Sequence, residues 1–252
     1  FSNEGCSLTL PTSVVTLQLN RDFSSDNVLH GTDNLTSLTV PKEPFTVSPC
    51  PKLRSLEWSG KEFAPPLFCE MSMLSGLTVV AETIDKNIVF PSRLVSFKVR
   101  LKDSESLDVN HLSTLTRLKT LDISVNAHKA ALNVSGMRSL SMLTVSGLTT
   151  TNLPQSLVQC RVAVQTTSDF SHLTNLTFLT IELLARVRLT FPTQLRELIL
   201  LYDGVEIGES NIADVELESF SCSPKHVLTR EELERLPKTL RNVKGVFEPD
   251  SL

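Results

Sequence analysis

The feature that most constrains the fold is a recurring L-x-x-L-x-L spacing, which is complete in the segment LSTLTRLKTLDISVN at residues 112–126. Leu118 begins the spacing, Leu121 and Ile123 follow it, and Asn126 comes three residues later. Alternate residues of a strand share a face, so Leu121 and Ile123 are predicted to point into a core. The segment before them is typical of a 3₁₀ or short α turn. Because one such unit cannot bury its own leucines, neighbouring units must stack against it.

The same spacing recurs along the whole chain. Successive starts are 17 to 24 residues apart, so the period is close to 20 but irregular. The first apolar residue of each run falls at Val14, Leu35, Leu53, Leu74, Leu94, Leu118, Leu140, Leu157, Leu176, Leu195, Leu217 and Leu240. These matches predict a single domain over residues 1–252, with an N-terminal cap (1–13), repeats (14–223) and a C-terminal capping repeat (224–252).

In spacing and period the chain resembles the leucine-rich repeat family. The resemblance implies an α/β solenoid: a horseshoe of about 12 repeats, with a parallel β-sheet on the concave face and irregular, extended and short helical segments on the convex face. A proline often follows a bulky apolar residue three residues before a repeat start, and this L-P-x-x-L punctuation is similar to that of protist and bacterial members. These prolines, which favour an extended return along the outer face, are Pro11, Pro91, Pro154, Pro192 and Pro237.

Three local features refine this picture. Trp58 falls on an inward strand position, which favours core packing over an exposed binding role. Near the end of the chain, Thr229-Arg-Glu-Glu232 is a capping box that predicts a short outer helix, and Gly245 takes the third inward position of the last repeat. The positions equivalent to Asn126 are mostly not asparagine, so no regular asparagine ladder is expected.

Composition narrows the classes of partner. The net charge of −4 is too small to favour nucleic acid or an acidic membrane surface as the main partner. No apolar run reaches the roughly 18 residues that a spanning helix needs, so no membrane insertion is expected within this sequence. Because the sequence starts at Phe1 without a methionine, we expect a fragment or a processed form.

Cysteine usage bears on the compartment. The five cysteines are an odd number, and Cys160 and Cys222 occupy inward strand positions where a thiol acts as a small hydrophobic group. No cysteine cluster of the kind that closes the ends of secreted leucine-rich repeat proteins is present, so five thiols and a cytoplasmic location are predicted. A cell-surface or secreted location is the alternative. The sequons at Asn34, Asn133 and Asn175 do not decide between them.

Motifs that carry chemistry are missing. The sequence contains no H-E-x-x-H, no C-x-x-C, no glycine-rich phosphate loop and no G-x-S-x-G elbow. An enzyme is therefore disfavoured, and neither a cofactor nor a metal is predicted.

The concave face is the predicted functional surface, and five of the twelve residues in its central outward column are short and hydroxylated. Two groups of residues depart from that pattern. A charged middle consists of Lys98, Arg100, Asp122 and Arg161. An apolar group near the C-terminal end consists of Phe178, Ile199, Leu201 and Tyr202, with Glu182 and Glu197 at its rim.

Exposed apolar side chains rimmed by charge often mark protein contacts. The predicted function is therefore a non-enzymatic protein–protein interaction module that binds another protein on its concave face. The competing interpretation of the residues is a register slip that makes Leu201 a core residue. Two competing functions stay open: an extracellular receptor or adhesin ectodomain for peptide, glycan or lipid, and the substrate-recognition part of a larger enzyme such as a ubiquitin ligase.

Overall fold

The fold is given by a computed structural model, which describes residues 7–19, 28–40, 46–47, 50–63, 71–85, 88–102, 112, 114–125, 131–164, 168–183, 188–201, 210–223 and 227–247. Asn126, Tyr202, Cys6 and Cys69 lie outside these residues. The chain divides into two compact units, Phe1–Ala127 and His128–Leu252, each of which is described by itself.

The first unit is built from short parallel strands. Those described are β1 (Ser7–Thr9), β2 (Thr16–Gln18), β3 (Val28–His30), β4 (Ser37–Val40), β5 (Thr46–Val47), β6 (Ser55–Ser59), β7 (Glu62–Phe63), β8 (Gly76–Ala81), β9 (Thr83–Ile84), β10 (Ser96–Leu101) and β11 (Thr120–Val125). One sheet runs in the order β2-β4-β6-β8-β10-β11, so that each repeat adds one strand. Two side sheets, β1-β3-β5 and β7-β9, form on the return segments.

The second unit repeats this plan. Its strands are β12 (Ala131–Asn133), β13 (Met142–Thr151), β14 (Gln159–Val164), β15 (Ser168–Asp169), β16 (Phe178–Leu183), β17 (Leu189–Thr190), β18 (Glu197–Leu201), β19 (Ser219–Cys222), β20 (Val227–Leu228), β21 (Asn242–Lys244) and β22 (Val246–Phe247). One sheet runs β13-β14-β16-β18-β19-β21, with β12 beside β13, and the pairs β15-β17 and β20-β22 lie on the returns. We call the six-strand sheet of each unit its repeat sheet.

Side chains alternate across each repeat sheet. In β11, Leu121 and Ile123 are fully buried, as predicted, whereas Thr120 and Asp122 are half-buried on the other face. Burial of each such leucine or isoleucine contributes about 1.5–3 kcal/mol, so the stacked inward positions form the core. Trp58 is also buried, and its ring centroid lies 5.0 Å from that of Phe63, which confirms its core role.

Each repeat enters its strand through a tight turn. In eleven of the twelve predicted repeats, the backbone N–H of the start residue donates to the carbonyl three residues earlier, as from Leu118 to Leu115 (3.1 Å) and from Leu94 to Pro91 (3.1 Å). Pro11, Pro154, Pro192 and Pro237 accept in the same way. The recurring prolines therefore begin corner turns, and the strands β1 and β17 just before Pro11 and Pro192 confirm the extended return.

Helical structure is scarce in the described residues. A 3₁₀ turn covers Ile212–Asp214, and the helix α1 covers Arg230–Glu234. The predicted capping box is present: Glu232 N donates to Thr229 Oγ1 (3.2 Å), and Thr229 N donates to Glu232 Oε2 (3.0 Å). The described return segments are thus mostly extended rather than helical.

The outermost strands are incomplete. Both β2 and β21 have three residues, and none of those residues is fully buried. All twelve predicted starts precede a strand of a repeat sheet, but complete solenoid turns are fewer than twelve.

Candidate interaction surface

Strand register aligns the predicted outward residues within each unit. In the first unit the aligned column is Gln18, Thr39, Glu57, Thr78, Lys98 and Asp122. In the second it is Thr144, Arg161, Thr180, Ile199, Ser221 and Lys244. The buried residues of the same strands point to the opposite face, and we call the face that carries this column the front face.

Apolar and charged side chains lie together on the front face of the second unit. Phe178 pairs in register with Glu197, and Glu182 pairs with Leu201, so β16 and β18 each present both kinds of side chain. Phe178, Ile199 and Leu201 are half-buried, whereas Glu197 is exposed. We call the set Phe178, Glu182, Glu197, Ile199, Leu201 and Arg161 the front patch.

The register of β18 decides between the two interpretations of Leu201. Leu198 and Leu200 are buried, with 1% and 3% of their surfaces exposed, whereas Leu201 is half-buried on the other face. The register-slip alternative is therefore wrong. Tyr202, the remaining member of the predicted apolar group, lies outside the described residues.

Thr180 occupies an outward position of the central column but is buried. It lies in register between Arg161 and Ile199, yet only 5% of its surface is exposed. Phe178 and Glu182 flank it on its own strand, so long side chains surround a short one on all sides. The front patch therefore has a buried threonine at its centre and larger side chains around it.

The charged residues of the front patch are Glu182, Glu197 and Arg161. Neither Glu182, Glu197 nor Arg161 makes an ion pair with another described residue. The neighbouring Arg196 is paired with Glu218 at 3.5 Å. The patch thus presents unneutralised carboxylates beside apolar side chains.

The predicted charged middle falls in two different units. Lys98 Nζ lies 3.2 Å from Asp122 Oδ2 on the adjacent strand, and Arg100 is exposed two residues further along β10. Arg161 belongs to the second unit. Because Lys98 and Asp122 neutralise each other, this region offers a partner less charge than the sequence indicated.

Two exposed apolar residues of the front faces were not singled out from the sequence. Val80 in β8 is 40% exposed, and Met142 in β13 is 44% exposed. Both occupy outward positions next to the central column, so a count of every outward position would have found them.

A set of side-chain hydrogen bonds at the corner turns was not predicted from the sequence. The residue just before a repeat start donates a side-chain hydrogen bond to a carbonyl of the preceding repeat in several repeats. The donors are Asn34 to Thr12 (2.9 Å), Ser156 to Leu140 (2.7 Å), Asn175 to Gln155 (3.0 Å), Gln194 to Leu173 (3.0 Å) and Thr239 to Leu217 (2.8 Å). We call these five residues the corner ladder, and an amide or hydroxyl at this repeated position was the available signal.

Other kinds of site were sought in the same residues. In the described part of the chain, no group of three or more His, Cys, Asp or Glu is placed to hold a metal ion. No described helix is long and apolar enough to cross a membrane.

Comparison with solved structures identifies the fold. No protein-family model matches the sequence, and no curated protein matches it. The leucine-rich repeat protein LIC12759 of Leptospira interrogans is 14% identical, with a TM-score of 0.54, over 95% of this chain and 82% of that one. An internalin (inlF) from Listeria monocytogenes is 15% identical, with a TM-score of 0.50, over 88% of this chain and 72% of that one.

A third match is CroV588, described as a circular leucine-rich repeat protein. It is 14% identical, with a TM-score of 0.54, over 94% of this chain but only 44% of its own length. At these identities the likeness concerns the fold. Together with the parallel repeat sheets, it shows that the chain has the leucine-rich repeat fold.

Proposed function

We propose that this protein is a non-enzymatic interaction module that binds another protein through the front patch. The supporting observation is the grouping of Phe178, Ile199 and Leu201 on adjacent strands, outside the core and beside carboxylates that make no ion pair with another described residue. Binding energy in protein interfaces concentrates in a few large anchors inside a polar rim.

The fold favours this surface for a physical reason. The backbone of a sheet is already ordered, so little additional backbone entropy is lost when a partner binds there. The central column of the first unit's front face has no large apolar side chain: it consists of polar and charged residues, with Lys98 and Asp122 paired to each other. It therefore offers fewer large anchors than the second.

A paired substitution tests the proposal. Partners are captured from the source cell on the immobilised chain, and binding of the captured protein is then measured in purified form. Phe178→Ala with Leu201→Ser should weaken that binding by about 2 kcal/mol or more, roughly a thirtyfold rise in Kd, because both anchors are lost.

The matched control removes two apolar side chains elsewhere. Val227 and Val246 are 44% and 41% exposed, and they pair with each other on β20 and β22. Val227→Ser with Val246→Ser should leave Kd unchanged. Unchanged affinity in the Phe178 and Leu201 variant, with its circular dichroism intact, would exclude the front patch.

We also propose a cytoplasmic location for the module. Cys50, Cys160 and Cys222 are buried thiols rather than disulfides. Stable disulfides are rare in the cytosol and common in secreted proteins.

A further inference from the structure

We infer that the front patch takes an extended protein segment with one large apolar side chain between two basic side chains, in the order basic-x-apolar-x-basic. This inference rests on the proposed function and adds the chemistry of the partner.

The two carboxylates of the patch are spaced to match an extended segment. Glu197 aligns with Phe178, and Glu182 aligns with Leu201, so the two glutamates stand four residues apart along the strands and one strand apart across them. With about 3.3 Å per residue and about 4.8 Å between strands, their Cα atoms are about 14 Å apart. In an extended segment, the side chains of residues i and i+4 point the same way and lie about 13 Å apart.

Ile199 lies where the middle residue of such a segment would fall. Ile199 lies midway between Glu197 and Leu201 on β18, and Phe178 lies across from Glu197. An apolar side chain at the middle of a five-residue segment therefore meets Ile199 when its two end residues meet the carboxylates. An extended partner segment can make these contacts from its alternate residues, without any turn in its backbone.

The surroundings of β18 leave room for such a segment. On β19, Ser219 and Ser221 align with Glu197 and Ile199, and both are short. On the other side, the buried Thr180 lies between Arg161 and Ile199. The segment is thus bounded by the larger side chains of β16 and open toward β19.

The charges favour basic rather than acidic partner residues. Glu182 and Glu197 have no ion-pair partner among the described residues. Arg161, the opposing charge of the patch, lies on β14 beyond Thr180, one strand further from β18. Complementary charges across an interface set specificity and association rate, so a segment over β18 gains more from lysine or arginine than from aspartate or glutamate.

The experiment uses the full chain and a library of random 12-residue peptides selected for binding to it. Enriched peptides should share the basic-x-apolar-x-basic pattern, and their Kd is measured by fluorescence anisotropy. Glu182→Lys with Glu197→Lys should weaken these peptides at least tenfold. Versions in which both basic residues are replaced by glutamate should bind the double variant more tightly than they bind the original chain.

The matched control reverses two exposed carboxylates before β19. Asp214→Lys with Glu216→Lys makes the same change in net charge, and it should leave the Kd of the enriched peptides within twofold.

Each other result overturns the inference. Enriched peptides without the basic pair that still depend on Phe178 and Leu201 would reject the charge rule and leave the proposed function standing. Peptides indifferent to Phe178→Ala with Leu201→Ser would count against both. An absence of any enriched peptide would reject an extended segment as the partner, while the proposed function keeps its own test on the captured protein.

Discussion

At Gly245 the packing leaves no room for a side chain. A Cβ atom there would lie 2.6 Å from Cys222 Sγ and 3.2 Å from Leu228 Cδ1. Gly245→Ala should therefore cost about 1–3 kcal/mol of folding free energy through overpacking. Denaturant unfolding followed by circular dichroism measures this loss.

The cause can be isolated because the clash has one main partner. Cys222→Ala removes Sγ, so Gly245→Ala in that background should cost clearly less than it does alone. Gly76→Ala is the control, since its Cβ would meet nothing closer than 3.8 Å. Equal costs with and without Cys222 would mean that the thiol is not what excludes alanine.

The buried thiol of Cys160 links stability to pH. Burial raises the pKa of Cys160 from 9.0 to about 12, because the thiolate would lose its hydration. Below pH 9 both folded and unfolded chains keep the proton. Between about pH 9 and 12 only the unfolded chain releases it, so the free energy of unfolding should fall by up to about 1.4 kcal/mol per pH unit.

Cys160→Ala separates this effect from other groups that titrate in the same range. Urea unfolding of both proteins from pH 8 to 11 should show a shallower decline in the variant. Parallel declines would show that the thiol does not couple folding to pH.

At the scale of elements, leucine spacing predicted the strands well. The alternation around Leu121 and Leu200 is set by burial of every second residue, which a sequence displays directly. The return segments were harder, because leucine at every third position is compatible with either a helix or a series of turns. In that repeat Leu112 is helical, whereas local hydrogen bonds such as Leu115 N to Leu112 O at 3.0 Å accompany turns over residues 114–118.

The front patch was likewise predicted only in part. The alternation of the strands predicted which side chains point outward, and Phe178, Ile199 and Leu201 lie on the front face as expected. The burial of Thr180 was not foreseen, because it depends on the size of neighbours in adjacent strands rather than on its own repeat. Pairing of Lys98 with Asp122 likewise depends on which strands are adjacent.

The corner ladder should contribute to stability in place of an asparagine ladder. Ser156 Oγ donates to Leu140 O at 2.7 Å, and Asn175 Nδ2 donates to Gln155 O at 3.0 Å. Loss of each bond costs about 0.5–1.5 kcal/mol, so Ser156→Ala with Asn175→Ala should lower the free energy of unfolding by about 1–3 kcal/mol.

Two exposed positions nearby provide the comparison. Gln159→Ala with Thr174→Ala removes polar side chains of the same repeats that make no described side-chain hydrogen bond. Chemical unfolding should show little change for this pair. Equal losses in both pairs would mean that the corner ladder does not hold the repeats together.

At the scale of the whole molecule, the cysteines connect the fold to its compartment. Cys50, Cys160 and Cys222 are buried thiols in the described residues, and burial raises the pKa of each, so the native protein should react with a thiol reagent at none of the three. Unfolding without a reducing agent should expose five reactive thiols in all. Mass spectrometry of the labelled chain gives the count and the sites. Three labels instead of five would reveal one disulfide, which would move the protein to the extracellular alternative, because such bonds persist in oxidising compartments.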